Sequence, residues 1–167
     1  MIIEVTEGRD GGGDETFAER NAHPEDRGAE LFRKWCDSKG YRCYRIGADP
    51  KDGKIPRYWE LPEVVRFLPD FVLDRKGKLW LIEVKGSPNL KTKEYEKLAD
   101  RESMYRPNYR YAICWQGRIA VMTTADVASR YERSSVVGRW GDGKEYRELD
   151  LEDLWEDIDL TGEKRQA

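Results

Sequence analysis

Arg66-Phe-Leu-Pro-Asp-Phe-Val-Leu-Asp-Arg-Lys-Gly-Lys-Leu-Trp-Leu-Ile-Glu-Val-Lys85 reads as two short strands, Leu68–Asp74 and Lys78–Lys85, rich in Val, Leu, Ile, Phe and Trp. Lys76-Gly77 joins them, with Gly at a point where a hairpin turn needs positive φ. A loop at 76–77 puts residue 75 opposite 78 and, counting back, Asp70 opposite Glu83. A four-residue loop over 75–78 gives the same pairing. Carboxylates placed so have Cβ atoms about 4.5–5.5 Å apart, and like charges there repel. Lys85 lies two residues beyond Glu83 and projects from the same face. Two acids and an ammonium group therefore converge at one edge of apolar strands. A divalent cation held by oxygen ligands offsets the repulsion directly. The site then reads as a Mg²⁺- or Mn²⁺-binding hydrolytic centre. The plainer alternative is that Lys85 simply pairs with Glu83 or Asp70 on a half-exposed sheet face.

Pro69-Asp70 opening one strand and Glu83-Val84-Lys85 closing the next resemble the motif of the PD-(D/E)xK nucleases. That superfamily includes restriction endonucleases, Holliday-junction resolvases, phage exonucleases and transposon end-cleaving nucleases. The resemblance covers the central third of the chain. It implies that Asp70 and Glu83 are metal ligands, with the Val84 carbonyl as a third. It also implies that Lys85 orients or activates the attacking water and stabilises charge at the phosphorus. Such families often place a glutamate on the first helix near the metals, and Glu30 is the nearest candidate by position. Helical-wheel arithmetic sets Glu30 almost opposite the apolar stripe, where a surface pair with Lys34 is the alternative. Glu25 falls nearer the inward face but fits the family pattern less well.

The chain has 167 residues, enough for one domain with one core. Charged residues make up 38%, and the formal net charge is −3. That balance argues against a protein that coats DNA, but it leaves room for a nuclease, whose metal-binding acids count against the total. Cys36, Cys43 and Cys114 lack zinc spacing and are odd in number, so reduced thiols are expected. His23 is the only histidine and lies in a polar segment, which leaves a Ser-His-Asp or Cys-His mechanism without support. Residues 1–25 lack a signal-peptide pattern and no apolar run is long enough to cross a bilayer, so a soluble cytoplasmic protein of a bacterium or phage-infected cell is expected.

Residues 1–22 read as a flexible N-terminal segment, with Met1–Val5 either a short strand or a tail. A helix from Pro24 to Ser38 stops at Gly40, with Ala29, Leu31, Phe32, Trp35 and Cys36 facing the sheet. Tyr41–Ile46 is the first core strand. Residues 47–62 form a loop whose Arg57, Tyr58 and Trp59 either contact nucleic acid or cover the core edge. Glu60 and Glu63 read as surface acids or as loop acids near the metals. A helix over Asn89–Tyr105, capped by Ser87 or Asn89, carries Lys91, Lys93, Lys97 and Arg101, well placed to hold a phosphate backbone. Some family members carry Gln-x-x-x-Tyr here; Lys91-Thr-Lys-Glu-Tyr95 matches only the Tyr, which speaks against the RecB-like branch. Tyr109–Trp115 and Arg118–Thr123 read as strands joined at Gln116-Gly117, and Thr124 caps a helix over Ala125–Tyr131. Residues 133–149 read as an exposed ribbon or loop. Leu151, Leu154, Trp155 and Ile158 predict a C-terminal amphipathic helix.

These elements predict a single α+β domain over residues 23–167, with a mixed central sheet flanked by helices, in keeping with a restriction-endonuclease-like core. The expected function is a Mg²⁺- or Mn²⁺-dependent DNA endonuclease, structure-selective or nicking, acting alone, as a homodimer or with a partner subunit. The alternative is a nuclease-fold DNA-binding or assembly module whose activity is lost or depends on a partner, as in a transposon end-cleaving complex.

Overall fold

The computed structural model describes residues 2–3, 27–47, 60–141 and 143–161. Its centre is the hairpin of β3 (Phe71–Arg75) and β4 (Lys78–Lys85). Lys76 and Gly77 both have positive φ, 52° and 82°, the backbone of a type I′ turn whose twist matches the strands it joins. Asp74 fastens that turn by accepting the Gly77 N–H at 2.9 Å. The pairing runs from Arg75↔Lys78 to Phe71↔Ile82, which sets Asp70 opposite Glu83 as expected. The first strand begins at Phe71 rather than Leu68, because a short helix, α2 (Glu63–Arg66), leads into the hairpin and Pro69 has no N–H for a ladder.

Six strands form the main sheet, in the order β10-β7-β6-β4-β3-β2, with β2 spanning Arg42–Arg45, β6 Tyr109–Trp115, β7 Arg118–Met122 and β10 Glu156–Asp157. Only β4 and β6 run parallel within it; the other pairs are antiparallel. This is the mixed central sheet of the α+β expectation. Helix α1 (Arg27–Lys39) packs Ala29, Phe32, Trp35 and Cys36 against Phe71, Leu73, Ile82, Val84, Ala112 and Cys114. It ends where expected: Gly40 (φ 69°) and Tyr41 donate back to Asp37 and Cys36 in a Schellman closure, and Tyr41 meets Trp35 edge-on at 5.5 Å.

Because strand side chains alternate, the other face carries Tyr109, Tyr111, Ile113, Ala120 and Met122, and the same face of β4 carries Glu83 and Lys85. This face is covered by Leu98 of α4 (Leu98–Tyr105) and by Val127 and Tyr131 of α5 (Thr124–Arg133). Thr123 rather than Thr124 caps α5, in a reciprocal capping box with Asp126.

Three expectations need correction. Asn89–Tyr105 is not one helix: β5 (Asn89–Lys91) is followed by α3 (Thr92–Glu96) and then α4. The cause is a partner far along the chain, since β5 pairs antiparallel with β9 (Glu145–Glu148). The polar ribbon 133–149 is thereby a hairpin of β8 (Val137–Arg139) and β9, in a four-stranded sheet ordered β1-β8-β9-β5, with β1 at Ile2–Ile3. The first residues thus include a strand, and the rest of the expected flexible segment lies outside the described residues. The C-terminal amphipathic helix is also absent. Leu154 and Trp155 donate to the Leu151 carbonyl in a single turn, after which Glu156–Asp157 pair with the open edge of β7. Leu151 and Ile158 still reach the core.

Gly47 bears directly on the hairpin's functional edge. A Cβ there would stand 3.1 Å from Asp70 Cα and 3.3 Å from the Pro69 carbonyl oxygen. Both neighbours are backbone and cannot swing aside. Gly47→Ala is expected to destabilise the fold by about 1–2 kcal/mol, measured as a lower urea midpoint at unchanged slope.

Candidate active site

Local hydrogen bonding defines how Asp70 and Glu83 meet. Ile46 and Gly47 donate to the Asp70 carbonyl at 2.9 and 3.2 Å, so the backbone groups of Asp70 turn toward β2. Leu81 donates to Asn108 at 2.9 Å, so alternate residues of β4, Glu83 included, turn theirs toward β6. Asp70 and Glu83 are therefore a non-hydrogen-bonded pair, the type in which Cα atoms approach to about 4.5 Å and side chains come closest. The next rung sets Val84 opposite Pro69. The Val84 N–H donates to Asp70 Oδ2 at 2.8 Å, and Pro69 has no N–H to offer the Val84 carbonyl. The Asp70 carboxylate thus takes the Val84 N–H, and Pro69 leaves the Val84 carbonyl without its ladder donor.

Behind this edge lies an ionic cluster. Lys85 Nζ stands 2.7 Å from Glu83 Oε1 and 3.1 Å from Glu94 Oε1. Arg101 Nη1 donates to Glu83 Oε1 at 3.1 Å and also to Glu94 Oε1. The Tyr111 hydroxyl accepts from Arg101 at 3.2 Å and donates to Glu94 at 3.3 Å. Glu83 and Arg101 are each 8% exposed, so unpaired charge here would be costly. Burial opposes the charge on Lys85, but Glu83 and Glu94 outweigh it and hold the ammonium well above its usual range. Burial would raise Glu94, yet Lys85 and Arg101 bring it down to about 2. Burial first, then Glu94, pushes the Tyr111 hydroxyl up to about 12. At neutral pH Glu94 is therefore an anion set between the cations of Lys85 and Arg101, and Tyr111 keeps its proton.

The structure brings Asp70, Glu83, Val84 and Lys85 together, and it also realises the plainer Lys85–Glu83 pair. Glu30 lies on the exposed face of α1, 2.8 Å from Lys34. Lys91 is half-buried in β5, whereas Lys93 and Lys97 are exposed, Lys97 with Nζ 4.6 Å above the Phe67 ring. Glu60 and Glu63 are exposed. Tyr95 turns to α5, stacking on Tyr131 at 4.2 Å. Arg57, Tyr58, Trp59, Glu25 and His23 lie outside the described residues. Sequence reasoning missed Glu94 and Tyr111 as parts of the site, and it set Arg101 among the phosphate-holding cations, whereas Arg101 is buried and paired with Glu83 and Glu94. The available signal was the seven-residue spacing of Glu94 and Arg101 on an expected helix, which puts both on one face.

Among the described residues no three His, Cys, Asp or Glu side chains stand close enough to hold a metal ion. The oxygens at the edge are two carboxylates and one backbone carbonyl. Such hard donors suit Mg²⁺ or Mn²⁺, which take one or two carboxylates and complete their shell with water. The residues present therefore fit such an ion.

No protein-family model matches the chain, and no curated protein resembles it in sequence. Among solved structures it is similar to Hjc, a Holliday junction resolvase from the archaeal hyperthermophile Archaeoglobus fulgidus, with 15% identity and a TM-score of 0.43 over 85% of this chain and 100% of that one. Among the described residues no helix is long and apolar enough to cross a membrane.

The cluster carries a pH signature. Glu94 falls from its ordinary 4.5 to about 2 on folding, a stabilisation on the order of 3 kcal/mol at neutral pH. It is fully present above pH 4.5 and is lost as pH falls toward 2. The contribution of Lys85 is intact below its ordinary 10.5 and fades only at higher pH. Thermal melts should therefore show Tm dropping between pH 4.5 and 2. Glu94→Gln should flatten that limb and lower Tm at pH 7.

Proposed function

We propose that this protein is a Mg²⁺- or Mn²⁺-dependent DNA endonuclease of the PD-(D/E)xK type, cutting in a structure-selective or nicking manner. One observation carries the reading: Asp70, Glu83 and Lys85 share one face at one hairpin edge, beside a Val84 carbonyl that faces a proline. Asp70, Glu83 and that carbonyl would hold the ion, which supplies Lewis-acid polarisation of the phosphate and a more acidic water. Asp70 is oriented by the Val84 N–H. Lys85 is held charged between Glu83 and Glu94, so its role is that of a cation. It offsets negative charge gathering on the phosphate oxygens and orients the attacking water by donation. The exposed Lys93 and Lys97 lie on the segment that follows β4, Lys97 with Nζ 4.6 Å above the Phe67 ring, and suit backbone phosphates, with Lys91 and Arg57 as further candidates. DNA as substrate, and a homodimer or partner subunit as working form, follow from the motif resemblance.

A second reading is favoured by the engagement of Glu83 with both Lys85 and Arg101. In it the fold is a DNA-binding or assembly module, and its activity waits on a partner that completes the ligand set. Incubation of the purified protein in Mn²⁺ with linear, nicked, branched and single-stranded DNA separates the two. Cleavage is expected, and Asp70→Asn and Lys85→Ala should each lower kcat/KM by about 100-fold or more while remaining folded. No cleavage by the wild type, with no Mn²⁺ binding by calorimetry, would favour the module. Lys93→Ala and Lys97→Ala should weaken DNA binding alike for all sequences and lower the salt slope by roughly one each.

A further inference from the structure

Glu83, Lys85, Glu94 and Arg101 form a closed ring of alternating charge. Glu83 Oε1 meets Lys85 Nζ at 2.7 Å, Lys85 Nζ meets Glu94 Oε1 at 3.1 Å, and Arg101 Nη1 closes the ring by bonding both glutamate oxygens, Glu83 Oε1 at 3.1 Å. Every side-chain bond and ion pair that Glu83 makes with a described residue runs through Oε1, and so does every side-chain one that Glu94 makes. Neither Oε2 is among the fully buried polar atoms that lack a partner. The ring thus consumes one oxygen of each acid and leaves the other oxygen of Glu83 without a described protein partner.

Arg101 reaches further than the ring. Its guanidinium also bonds the Tyr111 hydroxyl at 3.2 Å and lies 5.5 Å above the Phe67 ring, three residues before Asp70. One buried side chain from α4 therefore touches β4, α3, β6 and the segment that delivers Asp70. As a stabilising device this is poor: well-packed apolar residues of similar volume commonly do as well as or better than a buried ion cluster, and Arg101 Nε is buried with no hydrogen-bond partner among the described residues. Such an arrangement makes better sense as geometry than as glue.

We propose that Arg101 is a positioning residue of the candidate active site, fixing Glu83 through Oε1 so that Oε2 is the oxygen presented to a divalent cation, with Glu94 as the counter-anion that keeps Arg101 and Lys85 from neutralising Glu83. The inference rests on the endonuclease reading for its catalytic consequence, but its ligand geometry can be tested apart from cleavage. Asp70, Glu83 and Glu94 against Lys85 and Arg101 leave one excess negative charge. Removing Arg101 raises that excess, whereas neutralising Glu94 removes it.

The experiment compares wild type, Arg101→Gln, Arg101→Lys and Glu94→Gln as full chains. Mn²⁺ affinity is read by calorimetry, folding by thermal melts, and cleavage on whichever DNA form the wild type cuts. Arg101→Gln should bind Mn²⁺ about three- to tenfold more tightly yet lose at least tenfold in kcat. Glu94→Gln should bind Mn²⁺ at least threefold more weakly, and Arg101→Lys should return Mn²⁺ affinity to near the wild-type value with part of kcat. Opposite shifts in affinity support the proposal, because a merely structural role would move both variants the same way, in step with Tm. Equal affinity in all four proteins, a fall in affinity in both variants, or no Mn²⁺ binding by the wild type would overturn it. If Arg101→Gln does not fold, wild type, Arg101→Lys and Glu94→Gln decide: near wild-type Mn²⁺ affinity in Arg101→Lys beside weaker binding by Glu94→Gln supports the proposal, and an equal fall in affinity in both variants overturns it. Opposite affinity shifts without cleavage by the wild type would uphold the positioning role and refute the endonuclease reading instead.

Discussion

Two carboxylates facing each other across a strand pair are an electrostatic liability, and much of this fold follows from how that liability is contained. Asp70 and Glu83 meet where antiparallel side chains come closest. Neither is left bare. Asp70 accepts the Val84 N–H, a bond of a neutral donor to a charged acceptor. Glu83 is met by two cations, one from its own strand and one from α4. The two acids are thus stabilised in different ways, Asp70 by the backbone and Glu83 by side-chain charge.

That division depends on the parallel pairing of β4 with β6. Parallel neighbours need a crossover, and the chain spends it on β5, α3 and α4, which carry Glu94 and Arg101 onto the face that bears Glu83. An antiparallel return after Lys85 would have left that face bare of both residues. The apolar face beneath α1 has no such duty and is filled by Phe, Leu, Ile, Trp and Cys side chains. One sheet therefore separates a layer devoted to packing from one that mixes packing with charge.

The parts of the fold legible in the sequence are those governed by near neighbours. Lys76-Gly77 fixed the hairpin register, and the register fixed which residues share a face. Gly40 closed α1, and the alternation in β6 and β7 was plain. What could not be read depended on distant partners. β5 looks like the start of a helix until Glu145–Glu148 arrive to pair with it. Leu151, Leu154 and Ile158 have helical spacing, yet the unfilled edge of β7 claims the chain after one turn. The site divides in the same way. Asp70, Glu83 and Lys85 lie within one hairpin, whereas Glu94 and Arg101 enter through the crossover and Tyr111 through the neighbouring strand. Glu30 was a candidate through family likeness alone, and its position beside Lys34 is what wheel arithmetic on α1 indicates.

The state of Lys85 bears on what chemistry this edge can perform. An ammonium between two carboxylates is a poor base, because losing its proton would leave Glu83 and Glu94 facing each other with one cation fewer. It is a good electrostatic partner for a phosphate, since it needs no reorganisation to be positive when charge develops. The same pairing limits its reach, because donors committed to Glu83 and Glu94 are not available to a substrate. Lys85 has three donors and two are accounted for in the ring. The third is what remains for a water or phosphate oxygen. A site built this way trades proton mobility for a fixed positive charge beside a carbonyl and two carboxylates, and that trade suits hydrolysis of a phosphodiester better than any reaction that needs Lys85 to act as base or nucleophile.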